Sequence, residues 1–409
     1  MKLQLSAPLS HQIKSNIKIT GSKSETNRLL LLQALFPNLK LENVSNSDDA
    51  EVMQKGLTVS KGTVDIHHAG TAMRFLTSYF ASQEGKEVVL TGSARMKQRP
   101  IKVLVDALTV LGANIEYDGE EGFPPLKIKG QKLTKEKVSL PANISSQYIS
   151  SLCLIGASLR NGLTIELIGK ITSVPYIKMT LALLKEVGVK TRFQENQIQV
   201  FPKERVAAKD VVVESDWSAA SYYYSTMALA EIGSTITLSA YKKDSLQGDS
   251  VLHDLYRNFG VTTEFGDNQI ILTKTEPPHI DFFEENLSDA PDIAQTIAVT
   301  CLGLGMGCHL RGLHTLPIKE TDRLAAMKTE LEKFGAQVII DSESLILKPT
   351  STLNKDIAID TYNDHRMAMA FAPLALKADF VVNDAHVVSK SYPDFWNDFR
   401  KVGLVISEL

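Results

Sequence analysis

The sequence predicts an α/β protein in which one helix–glycine–strand module recurs, and three observations carry that prediction. First, four segments share one pattern: apolar residues at i, i+3 or i+4 and i+7, then Gly, then an apolar extended run. They are residues 103–117 (VLVDALTVLGANIEY), 179–193 (MTLALLKEVGVKTRF), 250–265 (SVLHDLYRNFGVTTEF) and 326–340 (AMKTELEKFGAQVII). Second, their glycines, Gly112, Gly188, Gly260 and Gly335, are separated by 76, 72 and 75 residues. Third, 409 residues exceed one ordinary domain and suit two or three.

Gly just past a helix takes the left-handed conformation that releases the chain into a strand. One such end is commonplace, but four at near-constant spacing suggest up to six copies of an α/β unit. Weaker copies end at Gly403 and Gly56. The period is longer than that of solenoid repeats, so the modules assemble into globular lobes. Splitting the copies three and three places a boundary near Val213/Glu214.

In chain order, a strand is expected over 12–20, followed by a helix entered through Ser22–Ser24. Further strands are expected over 87–91, 163–168 and 211–213, and a helix starts at Asp216 or Ser218. Strands over 235–238 and 270–273 follow. From Ile293 to Leu310 no acid, Lys or Arg occurs. The stretch is shorter than the roughly 20 apolar residues of a membrane span, so a buried helix entering a Gly-rich turn (Gly303, Gly305, Gly307) is expected. Strands over 345–348 and 380–382 complete the list.

Hydrophobic residues are 44% and charged residues 22%, a globular composition with no case for disorder. Lys+Arg 44 against Asp+Glu 47 argues against nonspecific nucleic-acid or membrane-surface binding, while leaving room for a local cation cluster around a small anion. The N-terminus lacks a signal-peptide core. Cys153, Cys301 and Cys308 form neither an even disulfide framework nor a metal pattern, so reduced thiols in the cytoplasm are expected.

Several helix starts carry chemistry. GSKSETNR (21–28) sets Lys23, Ser24 and Arg28 at a helix start, which fits an anion site or a Ser cap with a solvated basic face. It is not a Walker A loop. HHAGTAMRFL (67–76) has Gly70-Thr71 before a helix carrying Arg74, and SARMKQRP (93–100) packs Arg95, Lys97 and Arg99 together. That run fits a solvated loop or an anion site. Adjacent His67 and His68 face different ways and make poor joint metal ligands. Ser145, Ser146 and Gln147 open another helix, as does Ser173 before Pro175-Tyr176, each fitting a cap or a phosphate site.

The strongest group is C-terminal. Asp289 and Asp292 lie at a helix start, Lys319-Glu320-Thr321-Asp322-Arg323 heads the next, and Asp364-His365-Arg366 precedes an apolar helix; Lys390 follows. A charge at the mouth of a buried helix is costly unless matched, so Arg366 is expected to face a carboxylate or a ligand anion. Five or six such starts suggest helix N-termini around a substrate with several anionic groups.

GSKSETNR, AGTAMR, SARMKQRPI, SSQY, KETDRLAAM, YNDHRMAMA and KSYPDF occur in this order over residues 21–395. Together they resemble the 5-enolpyruvylshikimate-3-phosphate (EPSP) synthase family. The resemblance implies a two-lobed enolpyruvyl transferase fold, an inside-out α/β barrel with three βαβαββ units per lobe, closing over its substrates. It implies lobes of residues 21–213 and of 1–20 plus 214–409. The implied reaction moves the enolpyruvyl group of phosphoenolpyruvate onto the 5-hydroxyl of shikimate 3-phosphate and releases phosphate. Neither cofactor nor metal is implied, and a monomer is expected.

By the same resemblance Lys23, Ser24, Arg28, Ser145, Ser146, Gln147, Ser173, Asp292, Thr315 and Lys319 contact shikimate 3-phosphate. Lys23, Gly70, Arg95, Gln147, Arg323, Arg366 and Lys390 contact phosphoenolpyruvate. Asp292 takes the 5-hydroxyl proton, Glu320 protonates the methylene carbon, and Lys23 assists. The herbicide glyphosate is expected to compete at the Gly70-Thr71 edge. Three positions depart from the family pattern: His68 and Thr315 where Asn is common, and Phe75 where Pro is common. Phe75 is expected to shift its helix and weaken glyphosate. UDP-N-acetylglucosamine enolpyruvyl transferases are disfavoured because the loop at 93–100 has no Cys. RNA 3′-phosphate cyclases are disfavoured by charge and motifs, and a dead anion-binding relic by the retained acid and base.

Overall fold

The computed structural model describes residues 1–8, 12–143, 145–169, 171 and 174–409. The chain opens with two short strands, β1 (Leu3–Ser6) and β2 (Lys14–Ile17), which do not pair with each other. Both belong to a compact unit with residues 214–409, while residues 21–213 form a second unit.

The 21–213 unit begins with α1 (Lys23–Leu35), β3 (Leu39–Glu42) and α2 (Asp48–Thr58). Next come β4 (Lys61–Asp65), α3 (Gly70–Ser82), β5 (Glu87–Thr91), α4 (Lys102–Leu111), β6 (Asn114–Tyr117) and β7 (Leu126–Lys129). A third set repeats the order with β8 (Lys137–Pro141), α5 (Ser146–Gly156), β9 (Leu163–Ile168), α6 (Val174–Glu186), β10 (Thr191–Gln194) and β11 (Gln197–Val200), before β12 (Lys209–Val212). In each four-stranded sheet the first two strands are parallel and a hairpin adds antiparallel, giving the orders β4-β5-β7-β6 and β8-β9-β11-β10. The remaining sheet has two strands, β12 parallel to β3.

The other unit continues with α7 (Trp217–Leu229), β13 (Thr235–Ser239), α8 (Leu252–Leu255), β14 (Val261–Gly266) and β15 (Gln269–Lys274). Then come β16 (Phe282–Asn286), α9 (Ala294–Gly303), β17 (Gly307–Arg311), α10 (Arg323–Lys333), β18 (Val338–Ile340) and β19 (Ser344–Leu347). Last are β20 (Ile357–Ile359), α11 (His365–Phe371), β21 (Phe380–Val382), α12 (Phe395–Val402) and β22 (Val405–Glu408). Its sheets run β2-β13-β15-β14, β16-β17-β19-β18 and β20-β21-β1-β22. The same connectivity therefore recurs, with β1 supplying the strand that the C-terminal set lacks: Leu3 lies opposite both Val382 and Glu408.

Helix position follows from side-chain pattern. Helices α3, α7 and α9 are buried nearly all round, as expected for helices inside a layer of others. Helix α4 instead buries Leu104, Val105, Leu108 and Leu111 and exposes Lys102 and Asp106. The sheets alternate buried and exposed residues, as in β8 and β9, so each presents one face to the core. Among the described residues no helix is long and apolar enough to cross a membrane.

The four strong glycines, Gly112, Gly188, Gly260 and Gly335, and the weaker Gly403 end their helices as expected, all with positive φ. Gly56 does not. Helix α2 runs past it to Thr58, and the next strand, β4, opens a new parallel pair rather than a hairpin. Gly56 is small for packing, since a Cβ there would lie 2.6 Å from Leu76 Cδ1. The sixth copy is thus reduced to the run α1-β3-α2, with β3 paired to β12 from the end of the unit. The first expected strand is also shorter, 14–17 rather than 12–20. At the 216–218 start, Asp216 is the cap, accepting from the Ala219 N–H at 3.1 Å.

The caps differ in the space around them, and that yields a test. Gly188→Ala meets no atom within 4 Å, so its cost is the left-handed backbone of an L-residue, about 1–2 kcal/mol. Gly260→Ala would set its Cβ 1.9 Å from the Glu276 carbonyl oxygen and is expected to be more destabilising. Urea unfolding of both variants checks this; equal losses would contradict it.

Candidate active site

In the 21–213 unit, the start of α1 carries a cation removed from water. Arg28 is 3% exposed. Its Nε donates to Thr180 Oγ1 at 2.7 Å, Nη1 to the Ser24 carbonyl at 2.7 Å, and Nη2 to Ser150 Oγ at 3.3 Å. Its Cζ lies 5.5 Å from the Phe75 ring and 6.0 Å from that of Tyr176. Burial draws its pKa down to about 10. A solvated basic face is therefore excluded for Arg28. Lys23 is partly exposed, 3.8 Å from the buried Asp49 carboxylate at the start of α2. Ser22, at the N-cap position, makes no side-chain capping bond.

Two other helix starts in this unit are joined. Ser145 caps α5 by accepting from the Gln147 N–H at 3.4 Å, and Gln147 Nε2 donates to Thr71 Oγ1 at 3.1 Å in the first turn of α3. Ser146 is buried beside them. Gly70 is the first residue of α3. The basic loop forms a 3₁₀ turn, Met96–Gln98, preceded by an exposed Arg95 whose Nη1 donates to Gln98 at 3.4 Å. Ser173 lies outside the described residues.

In the other unit the charges neutralise one another. Asp292 sits in a 3₁₀ turn entering α9, and its carboxylate meets Lys319 Nζ at 3.4 Å, Arg323 Nη1 at 2.9 Å and Arg366 Nη2 at 3.0 Å. Arg366 thus faces the expected carboxylate. Arg323, 1% exposed, also donates through Nε to Asp364 at 2.7 Å and through Nη2 to Glu320 at 2.9 Å. Asp364 caps α11 through the Arg366 N–H, so one carboxylate fixes both arginines. Burial alone would raise the Asp292 pKa, but Arg366, Lys319 and Arg323 hold it well below the usual carboxylate range.

Asp249 lies beyond this cluster. It accepts from the Ser218 hydroxyl, which accepts in turn from Arg366 Nη2 at 3.2 Å. Burial, with Asp292 adding to it, pushes Asp249 up to about 7. Lys390 donates to the Asn363 carbonyl at 2.6 Å. Thr315 Oγ1 is enclosed and has no hydrogen-bond partner among the described residues.

Reading by motif missed Asp49, Asp249 and the Thr180–Ser150 pair. Nothing local signals them: Asp49 reads as a first-turn acid, and Thr180 as a mid-helix residue. Among the described residues no group of three or more His, Cys, Asp or Glu side chains is placed to hold a metal ion.

Residues 55–399 match the family model described as EPSP synthase (3-phosphoshikimate 1-carboxyvinyltransferase). The chain belongs to the EPSP synthase family. It is 44% identical over 410 residues to a 3-phosphoshikimate 1-carboxyvinyltransferase of Bacteroides fragilis strain YCH46, covering 99% of each chain. It is 36% identical to that of Marinomonas sp. strain MWYL1, covering 97% of this chain and 98% of the relative. In fold it matches an EPSP synthase of Acinetobacter baumannii with a TM-score of 0.83 at 18% identity over both whole chains. The enolpyruvyl transferase NikO of Streptomyces tendae matches with a TM-score of 0.70 at 14% identity, over 99% of this chain and 98% of NikO.

Against the family pattern, Phe75 is fully buried beneath Arg28, and His67 is an exposed residue with φ 50°. His68 is exposed as well.

Asp249 gives a pH-dependent test. Its pKa in the fold lies above the ordinary 3.8, so the folded state keeps a proton that the unfolded chain releases. Its effect on stability therefore turns unfavourable as pH rises from about 4 to about 7. Asp249→Asn should raise the thermal midpoint, relative to the unsubstituted chain, more at about pH 8 than at about pH 5. Calorimetry at both values checks this, and a pH-independent difference would refute it.

Proposed function

We propose that this chain transfers the enolpyruvyl group of phosphoenolpyruvate to the 5-hydroxyl of shikimate 3-phosphate, giving 5-enolpyruvylshikimate 3-phosphate and phosphate. Beside family membership, the observation that carries this is the single guanidinium of Arg323 holding both Asp292 and Glu320. The reaction needs a base for the 5-hydroxyl and an acid for the methylene carbon, acting together beside fixed cations.

In this reading Glu320 gives a proton to C3 of phosphoenolpyruvate, Asp292 takes the 5-hydroxyl proton, and the oxygen bonds to C2. The tetrahedral intermediate then loses phosphate from C2 as the C3 proton leaves, restoring the double bond. Lys23 assists at the departing phosphate. Arg323, Arg366, Lys390 and Arg95 hold phosphoenolpyruvate, with Gly70 and Gln147 against it. Lys23, Ser24, Arg28, Ser145, Ser146 and Ser173 hold the shikimate phosphate, and Lys319 and Thr315 serve the same substrate. Arg28 suits that role because its nearest partners are hydroxyls and carbonyls rather than carboxylates.

The electrostatics give the substrates a further part. With Arg366, Lys319 and Arg323 all turned on it, Asp292 is a weak base. Anions that draw those cations away weaken their hold and raise its basicity. The base is thereby strengthened by the arrival of the molecules it acts on. The protein is read as a monomer in the cytoplasm that needs no cofactor.

Phosphate release from the purified protein tests this reading. Turnover is expected with phosphoenolpyruvate plus shikimate 3-phosphate. None is expected with phosphoenolpyruvate alone or with UDP-N-acetylglucosamine as acceptor. Silence with all three from folded protein would sink the proposal. Asp292→Asn and Glu320→Gln should each lower kcat by about 10²–10⁴; unchanged kcat in either would remove that residue from its role.

A further inference from the structure

Two hydroxyls outside every motif fix Arg28 along one edge. Its Nε donates to Thr180 Oγ1 at 2.7 Å and its Nη2 to Ser150 Oγ at 3.3 Å, and those two oxygens lie 2.8 Å apart. Nε and Nη2 share one edge of the planar guanidinium, so the pair sets both the plane and the direction of the fork. Thr180 and Ser150 are fully buried, with no bulk water at hand to replace either acceptor. The Thr180 hydroxyl also lies 2.9 Å from the Tyr176 carbonyl, one turn earlier in α6. Its oxygen takes the arginine proton, while its own single proton goes to Ser150 or to that carbonyl. One hydroxyl thereby ties α1, α5 and α6 together.

The kind of partner matters. Thr180 and Ser150 orient Arg28 without cancelling its charge, whereas a carboxylate in either place would do both. Among the described residues no carboxylate forms an ion pair with Arg28, and burial lowers its pKa to about 10 against the weaker raising effects of Tyr176 and Glu25. Four bonds to protein oxygens stand against five N–H groups, so among the described residues one N–H, on Nη1, has no protein acceptor. A full positive charge, held still and removed from water, favours an anion that completes the set.

We infer that Thr180 is a positioning residue for shikimate 3-phosphate: it aims the Arg28 guanidinium at an anionic group of that substrate, with Ser150 as the second support. This rests on the proposed function. Because Thr180 acts through Arg28, its loss is felt in the affinity for one substrate rather than in the acid–base steps at Asp292 and Glu320.

Steady-state kinetics of the full chain, with each substrate varied in turn, tests it. Thr180→Val removes the hydroxyl at nearly constant shape and leaves Arg28 Nε without its acceptor. It is expected to raise KM for shikimate 3-phosphate about tenfold or more, with kcat and KM for phosphoenolpyruvate moved by less than about threefold. Thr180→Ser, which returns the hydroxyl, should bring that KM back to within about threefold of the unsubstituted value. A shikimate 3-phosphate KM within about threefold of that value in Thr180→Val overturns the inference, as does an equal rise in both KM values. Thr180→Ser as impaired as Thr180→Val overturns it too, since packing alone would then explain both. Should Thr180→Val fold poorly, Ser150→Ala decides by the same split. If the unsubstituted protein is folded but silent, the functional reading has failed. Calorimetric titration with shikimate 3-phosphate then decides for Thr180: weaker binding in Thr180→Val sustains it, and equal binding, or none in either protein, overturns it.

Discussion

Arg323 places a permanent charge in the dry interior of its unit, and much of the site depends on how that charge is satisfied. Its fork reaches Asp364, Asp292 and Glu320 together, so the positions of three carboxylates are tied to one planar group. Asp364 in turn caps α11 and sets the backbone from which Arg366 returns to Asp292. The network therefore closes on itself across the starts of α9, α10 and α11. Removing one member would leave another charge buried and unpaired, which costs about 3–5 kcal/mol. A lysine could hold one of these contacts but not the fork-shaped set.

Three arginines of the 21–213 unit are satisfied differently. Arg28, Arg74 and Arg99 rest on hydroxyls, carbonyls, aromatic faces and a helix end, with no ion-paired carboxylate among the described residues. The cluster around Arg323 thus holds its positive charge against its own acids, whereas these three arginines hold theirs against neutral groups. An anion approaching the first must compete with Asp292, Glu320 and Asp364, whereas one approaching these three arginines meets no ion-paired acid on them among the described residues.

Much of this was legible in the sequence because it follows from local rules. Five glycines marked helix ends correctly, since a left-handed residue is a local need. Strands over 87–91, 163–168 and 380–382 fall where the apolar runs put them. Gly56 misled because a helix-interior Gly that makes room for Leu76 looks the same as a cap. The motifs brought Asp292, Glu320, Arg323 and Arg366 to attention, and these do cluster. What the sequence could not show was pairing at a distance: Asp364 with Arg323, Asp249 with Ser218, Lys23 with Asp49. Spacing within one loop also could not show that Arg99 rather than Arg95 lies over Gly70, because that depends on a 3₁₀ turn setting one outward and one inward. The enclosed hydroxyl of Thr315 was equally invisible.

The place of β1 bears on how the protein is made. It fills the gap between β21 and β22, pairing Leu3 with Val382 on one side and Glu408 on the other. During synthesis residues 21–213 leave the ribosome with every strand of their sheets in hand. Strand β1 must instead wait for partners more than 370 residues behind it. Until then its backbone donors and acceptors are an open edge, the kind that recruits stray strands. Its four-residue length limits that exposure during the wait. Of the six sheets described, the one holding β1 and β22 is thus the last to be completed as the chain is made.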